Sequence, residues 1–419
     1  MRFLHASDLH IDSPLRGLDR YDGAPVERLR TATRAALERL IDRALAERVD
    51  FVLFAGDIYD RDWQDFHTGL FFREQMVRLG RADVRVFIVQ GNHDAQGVIT
   101  RQLVLPPNVT VFSSRTAQTV RIDELSVAIH GRSFPERVVD EDLVPSYPEP
   151  VPGSFNIGML HTSLTGRPGH DTYAPTNPAT LVAKGYDYWA LGHVHAREVV
   201  SEQPRIVFPG NLQGRHANET GPKGCELVNV ETGHIEAEFI PLDVVRWSQM
   251  LVSLEGIDRL EALGEAFREA LEPLLLGATD RLHAVRVTLT GSTGLHGTEA
   301  NQPGTLAAAI RAAAQDVGDA EVWIEQVRLN LTTPLDRTLA AQRQDAVGEL
   351  IRLVDAIGSD EVVLGALAQA ELGDLMSALP PEVATGEMPQ LDDLADLRTL
   401  LRDAEATVLA RLAAAGEDA

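Results

Sequence analysis

The chain has 419 residues, of which 44% are hydrophobic, and a formal net charge of -24. This length predicts two or three domains, and the acidic charge argues against attraction of the whole molecule to DNA or to an anionic membrane. The sequence has no apolar run of the roughly 20 residues that span a membrane, and its start lacks the apolar core of a signal peptide. The single cysteine, Cys225, excludes an internal disulfide and predicts a small buried residue. We therefore expect a soluble protein of the reducing cytoplasm.

The first 95 residues alternate short apolar segments with amphipathic ones. Residues 2–8, 49–55 and 84–89 are predicted to be buried strands, and residues 25–48 and 66–80 are predicted to be helices. A strand–helix–strand order predicts parallel neighbouring strands with helices packed on the outside. Side chains that follow the carboxyl ends of such strands gather in one crevice.

Beyond residue 108 the predicted strands are shorter and more closely spaced. They cover residues 109–112, 120–122, 126–129, 155–160, 186–191, 205–208, 226–230 and 235–240. From about residue 242 the pattern changes to a β-α-β-α-β unit, and from residue 336 to an acidic helical tail. In that tail, residues 379–382 separate amphipathic segments at 350–357 and 391–412. The sequence therefore predicts three parts, which are residues 1–242, 243–335 and 336–419.

Polar side chains of the kinds that bind metal ions follow five of the predicted strands. They are Asp8 and His10, then Asp57 and Asp60, then Asn92, His93 and Asp94, then His161, and finally His193 and His195. In an extended chain, side chains two residues apart point to the same side, so each Asp-x-His or His-x-His pair converges. Any one of these groups could be a cap or a turn. Five of them in the same position after a strand are hard to produce by chance.

The number and type of these side chains predict a pair of metal ions. Seven or more candidate ligands exceed the six that one octahedral ion takes. Imidazole, carboxylate and amide ligands without thiolate favour Mn²⁺, Fe²⁺ or Zn²⁺ over Ca²⁺ or a structural zinc. Two such ions can share a water and lower its pKa for attack on phosphorus. An imidazole that binds no metal can protonate the leaving oxygen.

The order of these motifs also resembles a known family. The set D-x-H, G-D-x-x-D, G-N-H-D, H and G-H-x-H over about residues 1–240 resembles the calcineurin-like metallophosphoesterase superfamily. Residues 3–14 and the Gly-rich loop at 209–216 are similar to the bacterial SbcD-like DNA repair exonucleases, most closely their YhaO-type branch. This resemblance implies an α/β fold, with a four-layer αββα sandwich, a small α/β capping domain and a helical C-terminal region that docks a partner.

The resemblance also assigns roles to individual residues. It implies one metal site at Asp8, His10 and His195, a second at Asn92, His161 and His193, and Asp57 as the bridge between them. His93 matches the family's catalytic histidine, which binds no metal, and Asp94 would orient it. Asp60 is placed with this catalytic group. Some nuclease relatives carry a second histidine at its position, so ligand support and a helix cap both stay open for it.

Three further polar residues have two readings each. Arg215 or His216, in the Gly-rich loop, either meets a substrate phosphate or is a surface residue of a turn, and the sequence weighs these evenly. His5 either supports a metal ligand or is a core histidine with its hydrogen bonds satisfied, and the second reading is favoured.

The expected function is that of a DNA exonuclease with some single-strand endonuclease activity in DNA repair. Two divalent ions are expected, with Mn²⁺ first and Mg²⁺, Fe²⁺ or Zn²⁺ as alternatives. The resemblance implies a homodimer and a partner ABC-type ATPase with a long coiled coil, SbcC-like or YhaN-like, docked by the C-terminal helices. One alternative, favoured by the acidic charge, is a phosphoesterase for a small nucleotide or a phosphoprotein. Another is an ATPase-bound scaffold with weak catalysis.

Overall fold

The computed structural model describes residues 1–13, 23–60, 66–95, 103–166, 172–318, 320–378 and 393–417. The chain forms two compact units. The first contains Met1–Ser248 and Ala278–Val285, and the second contains Gln249–Gly277 and Arg286–Ala419. The division into three parts, with boundaries at residues 242 and 335, stays a prediction.

The first unit is built from short strands and few helices. Its strands are β1 Arg2–Ala6, β2 Phe51–Ala55, β3 Arg85–Val89, β4 Val109–Val111, β5 Gln118–Ile122, β6 Val127–Gly131, β7 Phe155–His161, β8 Tyr188–Gly192, β9 Glu198–Glu202, β10 Arg205–Phe208, β11 Gly224–Glu231 and β12 His234–Pro241. Its described helices are α1 Val26–Glu47, α2 Phe66–Gly80 and α3 Pro178–Ala183, with single 3₁₀ turns at Asp123–Leu125 and Val144–Ser146. The predicted strands and helices of this part are confirmed to within a few residues, whereas β9 and α3 were not predicted.

These strands form two six-stranded sheets. The first has the order β12-β11-β1-β2-β3-β4, and β1 to β4 are parallel in it. The second has the order β5-β6-β7-β8-β10-β9, with β6, β7, β8 and β10 parallel. Because Ala6 pairs with Phe54 and Ala55 pairs with Val89, the residues after β1, β2 and β3 reach the same edge of the first sheet. This register gathers the predicted ligands of that sheet.

Each sheet is buried on both faces, which explains the continuous apolar strands. In β2, Phe51, Leu53 and Ala55 face the core between the two sheets, whereas Val52 and Phe54 belong to the core that includes α1 and α2. The outer face of the second sheet is covered by α3 and irregular chain, and the buried indole of Trp189 donates to the Leu181 carbonyl there at 3.1 Å. The α/β, four-layer αββα fold is confirmed, with a fourth layer that is mostly loop.

The chain after β12, most of which lies in the second unit, contains a three-stranded sheet and a set of helices. The sheet has the order β13-β14-β15, formed by β13 Val245–Ser253, β14 Leu282–Ser292 and β15 Glu321–Thr332. Its described helices are α4 Leu260–Leu275, α5 Leu295–Asn301, α6 Thr305–Gln315, α7 Arg337–Ala340, α8 Ala346–Ser359, α9 Glu361–Ala378 and α10 Leu394–Glu417. The predicted β-α-β-α-β order is therefore present, and α5 is an additional short helix within it.

The C-terminal helices pack through small apolar clusters. Ile351 of α8 packs with Leu409 of α10, and Leu364 of α9 packs with Leu397 of α10. The predicted segment at 350–357 lies within α8, and most of the one at 391–412 lies in α10. The predicted break at residues 379–382 lies outside the described residues. No helix in the described part of the chain combines the length and apolarity that crossing a membrane requires.

His5 is a core histidine, as the favoured reading of the sequence holds. Its ring is fully buried between the sheets, with Nδ1 3.0 Å from the hydroxyl of Tyr188 and Nε2 3.1 Å from the carbonyl of Leu191. Burial lowers the pKa of His5 to about 3. The folded protein therefore holds this ring neutral across the range in which the unfolded chain protonates it.

We expect His5 to make folding stability depend on pH. Below about pH 6.5 the unfolded state binds a proton that the folded state excludes, so stability falls as the pH drops, by up to about 1.4 kcal/mol per pH unit from this residue. His5→Gln, which keeps a polar side chain without the charge, should flatten the curve between pH 6.5 and 4. Urea unfolding in chelator-treated buffer measures this difference, and parallel curves for the two proteins would contradict it.

Candidate metal centre

The backbone is strained where the strands end. Asp8, His10, Asp57 and His193 have φ values of 52°, 44°, 51° and 98°. Such left-handed conformations are uncommon for residues with a side chain and cost on the order of 1–2 kcal/mol each. All four residues were predicted as metal ligands from the sequence. The fold therefore accepts strain to aim these side chains into one pocket.

Three glycines let the two sheets approach each other beside this pocket. A Cβ atom on Gly56 would overlap the ring of His161, and one on Gly192 would overlap the carbonyl oxygen of Ala55. A Cβ atom on Gly91 would overlap the Asp57 carboxylate. Gly56 also has a φ of +96°, so it provides the turn as predicted, whereas the other two are needed for close approach.

The first half of the pocket contains Asp8, His10 and His195. One ligand atom from each residue lies within 4.8 Å of the others. The Nε2 atoms of His10 and His195 are 3.2 Å apart, and Oδ1 of Asp8 is 3.8 Å from Nε2 of His195. Asp8 is held in place by the hydroxyl of Ser7, which donates to its Oδ2 at 2.6 Å. We call these three residues the first half-site.

The second half of the pocket contains Asp57, His161 and His193, which meet the same 4.8 Å criterion. Oδ1 of Asn92 lies 2.9 Å from Nε2 of His161, so the amide oxygen joins this group. We call these four residues the second half-site. The structure thus brings together all seven predicted metal ligands in the two groups that the family resemblance implied, and their metal binding stays a prediction.

Asp57 belongs to the second half-site and also lies next to the first. Its Oδ2 atom is 3.4 Å from Nε2 of His161 in the second half-site and 3.9 Å from Nε2 of His10 in the first. The other oxygen, Oδ1, accepts a hydrogen bond from the backbone N–H of His93 at 2.9 Å. One carboxylate oxygen therefore faces both groups of nitrogen ligands, which is the position that a bridging ligand requires.

The hydrogen bonds of two histidine rings fit a bound cation. Nδ1 of His161 lies 2.9 Å from the carbonyl oxygen of Ala55, and Nδ1 of His195 lies 2.7 Å from the carboxylate of Glu219. Both acceptors hold a proton on Nδ1, so Nε2 is the nitrogen that a metal ion would bind once the ring is neutral. Nε2 of His161 faces Oδ1 of Asn92, and Nε2 of His195 faces Nε2 of His10. Metal–nitrogen bonds of about 2.0–2.1 Å place neighbouring ligands roughly 3 Å apart, so the observed 2.9 and 3.2 Å separations suit metal ions.

Charge in the pocket favours cations as well. Burial would raise the pKa of Asp57, but the His161 ring holds it below its usual value. Burial opposes protonation of His161, yet Asp57 and then Asp8 raise its pKa to about 9. Asp57 is therefore ionised at neutral pH, and a metal ion bound at His161 would displace the proton from Nε2.

The structure corrects the predicted partner of His93. Oδ1 of Asp60 lies 2.7 Å from Nδ1 of His93, so Asp60 orients the ring, while its part in metal binding or in a helix cap stays a prediction. Asp94 does not orient His93, because its carboxylate accepts the backbone N–H groups of Ile58, Tyr59 and Gly91. Burial and then the charge of Asp57 raise the pKa of Asp94 to about 7. Asp94 joins the chain after β2 to the chain after β3, which explains why its carboxylate does not contact the preceding residue, His93.

The Gly-rich loop and the residues just after it contribute two residues, one of which the sequence analysis missed. Arg215 lies in the pocket, with Nη2 2.9 Å from Oε1 of Glu219 and 3.2 Å from Nδ1 of His195. Glu219 was not singled out, because an acid in a polar loop carries no periodic or motif signal. The side chain of His216 is 58% exposed. Arg215 is therefore not a surface residue, whereas His216 is; contact of Arg215 with a substrate phosphate stays a prediction.

Comparison with known proteins agrees with this geometry. Residues 1–197 match the family of calcineurin-like phosphoesterases, and residues 247–332 match the middle domain of metallophosphoesterase YhaO. The chain is 34% identical over 343 residues to the uncharacterized metallophosphoesterase YhaO of Bacillus subtilis. The aligned region covers 81% of this chain and 83% of the relative. The fold and pocket are those of a metal-binding phosphoesterase. Within that class, the chain belongs to the YhaO-type branch of the calcineurin-like metallophosphoesterases.

Other similarities are more distant. The chain is 25% identical over 302 residues to the DNA double-strand break repair protein Mre11 of Methanopyrus kandleri, covering 65% of this chain and 61% of that protein. Among solved structures, TT1561 of Thermus thermophilus matches 57% of this chain with a TM-score of 0.33 and 14% identity, and covers 98% of its own length. A dimetal phosphatase from Danio rerio matches 55% with a TM-score of 0.34 and 13% identity, and covers 93% of its own length.

Proposed function

We propose that this metallophosphoesterase is a Mn²⁺-dependent DNA nuclease, mainly exonucleolytic with some single-strand endonuclease activity, that acts in DNA repair. The observation that supports DNA as substrate is the similarity to an archaeal protein named for DNA double-strand break repair. That similarity covers 65% of the chain, which is more than the 197 residues of the phosphoesterase family match alone. The relative therefore shares part of the chain beyond the phosphoesterase domain.

The pocket contains the groups that hydrolysis of a phosphodiester needs. When bound, a pair of divalent ions supplies a water of lowered pKa and neutralises the phosphoryl oxygens. The chain's own part is to hold the ligands in place, through the strained strand ends and the bridging position of Asp57. Because Asp60 lies against Nδ1 of His93, the ring would give a proton to the leaving oxygen through Nε2.

The partners expected from the sequence belong to the same proposal. A chain with a net charge of -24 gains little from long-range attraction to DNA, so a separate subunit would supply the positive surface. We propose an ABC-type ATPase with a long coiled coil as that subunit and a homodimer as the nuclease. Exposed apolar side chains on α9, such as Val362 and Leu375, suit the docking of a partner helix by the C-terminal region.

A second candidate function is hydrolysis of a small nucleotide or a phosphoprotein. The acidic net charge favours it, because such substrates do not require a large basic surface. The same metal ligands and the same His93 would serve. A third candidate, an ATPase-bound scaffold with weak catalysis, is disfavoured by the complete donor set and by the buried, hydrogen-bonded support of its histidines.

We expect purified protein to degrade labelled DNA in the presence of Mn²⁺. The assay compares single-stranded, duplex and hairpin DNA with Mn²⁺ and Mg²⁺, and a model diester, bis(p-nitrophenyl) phosphate, is run in parallel. His93→Ala should lower the rate of DNA cleavage by about 10²–10⁴-fold, which is the usual contribution of a general acid. His234→Ala, which removes an exposed histidine on β12, is the matched control and should leave activity unchanged.

Two outcomes would contradict the nuclease proposal. Cleavage of the model diester with all three DNAs intact, over a range of metal concentrations, would favour the small-substrate function. DNA cleavage that His93→Ala does not lower would point to a contaminating nuclease.

A further inference from the structure

The guanidinium of Arg215 lies between two carboxylates, and each of these carboxylates holds a histidine of the pocket. On one side, Nη2 of Arg215 is 2.9 Å from Oε1 of Glu219, and the Arg215 backbone N–H donates to Oε2 at 2.7 Å. On the other side, Nη1 is 3.8 Å from Oδ2 of Asp60. Glu219 is the partner of His195 and Asp60 is the partner of His93. Arg215 therefore contacts both the carboxylate that holds the predicted metal ligand and the carboxylate that holds the predicted catalytic histidine.

This group is shielded from solvent. The side chains of Arg215, Asp60 and Glu219 are 15%, 15% and 7% exposed. Charges that are largely buried interact more strongly than exposed ones and are screened less by salt. The attraction between Arg215 and the two carboxylates is therefore not the weak contact of a surface ion pair.

The loop that carries Arg215 is held in place by hydrogen bonds to residues 244–247. The side-chain amide of Gln213 accepts from the backbone N–H of Val244 at 2.8 Å and donates to the carbonyl of Val245 at 2.6 Å. The indole of Trp247 donates to the carbonyl of Gly214 at 2.9 Å. These bonds tie the loop to the start of β13, so Arg215 approaches the carboxylates on a preset backbone.

Asp60 and Glu219 would also be good metal ligands if they were released. Hard divalent ions bind carboxylate oxygens readily, and a hydrolytic metal site must keep positions open for water and substrate. Two additional carboxylates beside the seven ligand candidates would compete for those positions. A cation that binds both carboxylates at once prevents this competition.

We propose that Arg215 is a positioning residue that holds Glu219 on His195 and Asp60 on His93, and keeps both carboxylates off the metal ions. The proposal deepens the phosphoesterase function and needs no assumption about DNA as the substrate. It distinguishes Arg215 from a residue that binds the substrate phosphate, because the effect passes through two protein carboxylates.

The test measures metal binding and hydrolysis separately. Calorimetry gives the number and affinity of Mn²⁺ ions, and steady-state kinetics with bis(p-nitrophenyl) phosphate give kcat and KM. Arg215→Ala should still bind two ions, with equal or higher affinity, while kcat falls by about 10–100-fold, as is typical for a group that supports a ligand, and KM changes little. Arg215→Lys should recover part of kcat, because it restores the charge without the fork.

A double variant and a surface control complete the design. If the released Glu219 carboxylate raises the metal affinity of Arg215→Ala, then adding Glu219→Gln should remove that gain. Arg121→Ala breaks an exposed guanidinium–carboxylate pair with Asp123 and should change neither readout.

Three results would overturn the proposal. A raised KM and weaker inhibition by inorganic phosphate, with kcat unchanged, would make Arg215 a substrate contact. Loss of either ion in Arg215→Ala would make it part of the metal site itself. If Arg215→Ala shows the metal binding, kcat and KM of wild type, Arg215 does not position the two carboxylates. If wild type hydrolyses the model diester but no DNA, the nuclease proposal fails. The comparison of wild type with the Arg215 variants on the model diester still tests the role of Arg215.

Discussion

Asp57→Asn is expected to lose at least one of the two metal ions and to lower kcat by about 10³-fold or more, because the carboxylate oxygen between the half-sites is replaced by a neutral amide. Oδ2 of Asp57 lies 3.4 Å from His161 Nε2 and 3.9 Å from His10 Nε2, so the loss affects ligands on both sides. The amide can still accept the backbone N–H of His93 through its oxygen, which keeps the local fold.

Metal analysis of the purified variant, a kinetic assay and thermal unfolding check this prediction. Wild type should be stabilised by added Mn²⁺, by about 4 kcal/mol at 1,000 times the dissociation constant of one site. Asp57→Asn should lose most of that increase. Asp123→Asn, a carboxylate-to-amide change at an exposed position, is the matched control. Two ions per chain and near-normal turnover in Asp57→Asn would show that Asp57 is not the bridge.

Much of the pocket could be predicted from the sequence because its signals are local. A short apolar run predicts a buried strand, and a ligand set that directly follows it is placed by the strand itself, as with Asp8 after β1 and Asp57 after β2. The parallel order of the strands then brings the ends together. The strain at these positions was not predictable, since positive φ values at residues such as His193 depend on packing against the other sheet.

The supporting residues were harder to predict because they are distant in the sequence. Asp60 and Glu219 are 33 and 24 positions away from the histidines they hold. Asp94 was chosen as the partner of His93 because it is the next residue. In a turn, however, neighbouring side chains diverge, and Asp94 instead satisfies three buried backbone N–H groups. A carboxylate that caps backbone and one that orients a ring cannot be told apart without the tertiary structure.

The missed elements have a similar explanation. The strand β9, Glu198–Glu202, is an edge strand with mixed polar and apolar residues, so its pattern is weak. Helix α3, Pro178–Ala183, has 6 residues, which is too short to show a helical period in the sequence. In both cases the neighbours in space, rather than the local pattern, determine the structure.

The pairing of His93 with Asp60 predicts a dependence on the leaving group. The Asp60 carboxylate lies 2.7 Å from Nδ1 of His93, and the two imidazole rings of His93 and His10 meet edge to face at 4.8 Å, so His93 lies beside the metal ligands. If His93 gives a proton to the leaving oxygen, His93→Ala should slow a diester with an alcohol leaving group by about 10²–10⁴-fold. A nitrophenolate leaves without a proton, so its release should be slowed far less.

Asp60→Asn extends the same test, because the Asp60 carboxylate holds Nδ1 of His93. We expect a smaller loss, of about 10-fold on the alcohol substrate, and a double variant no slower than His93→Ala alone, since residues that act as a unit are not additive. Both variants should keep two metal ions per chain. The cluster of His10, Asp60 and His93 lies within 4.8 Å and could also hold a cation. Loss of an ion in His93→Ala, or equal losses on both substrates, would therefore identify His93 as a ligand instead of a proton donor.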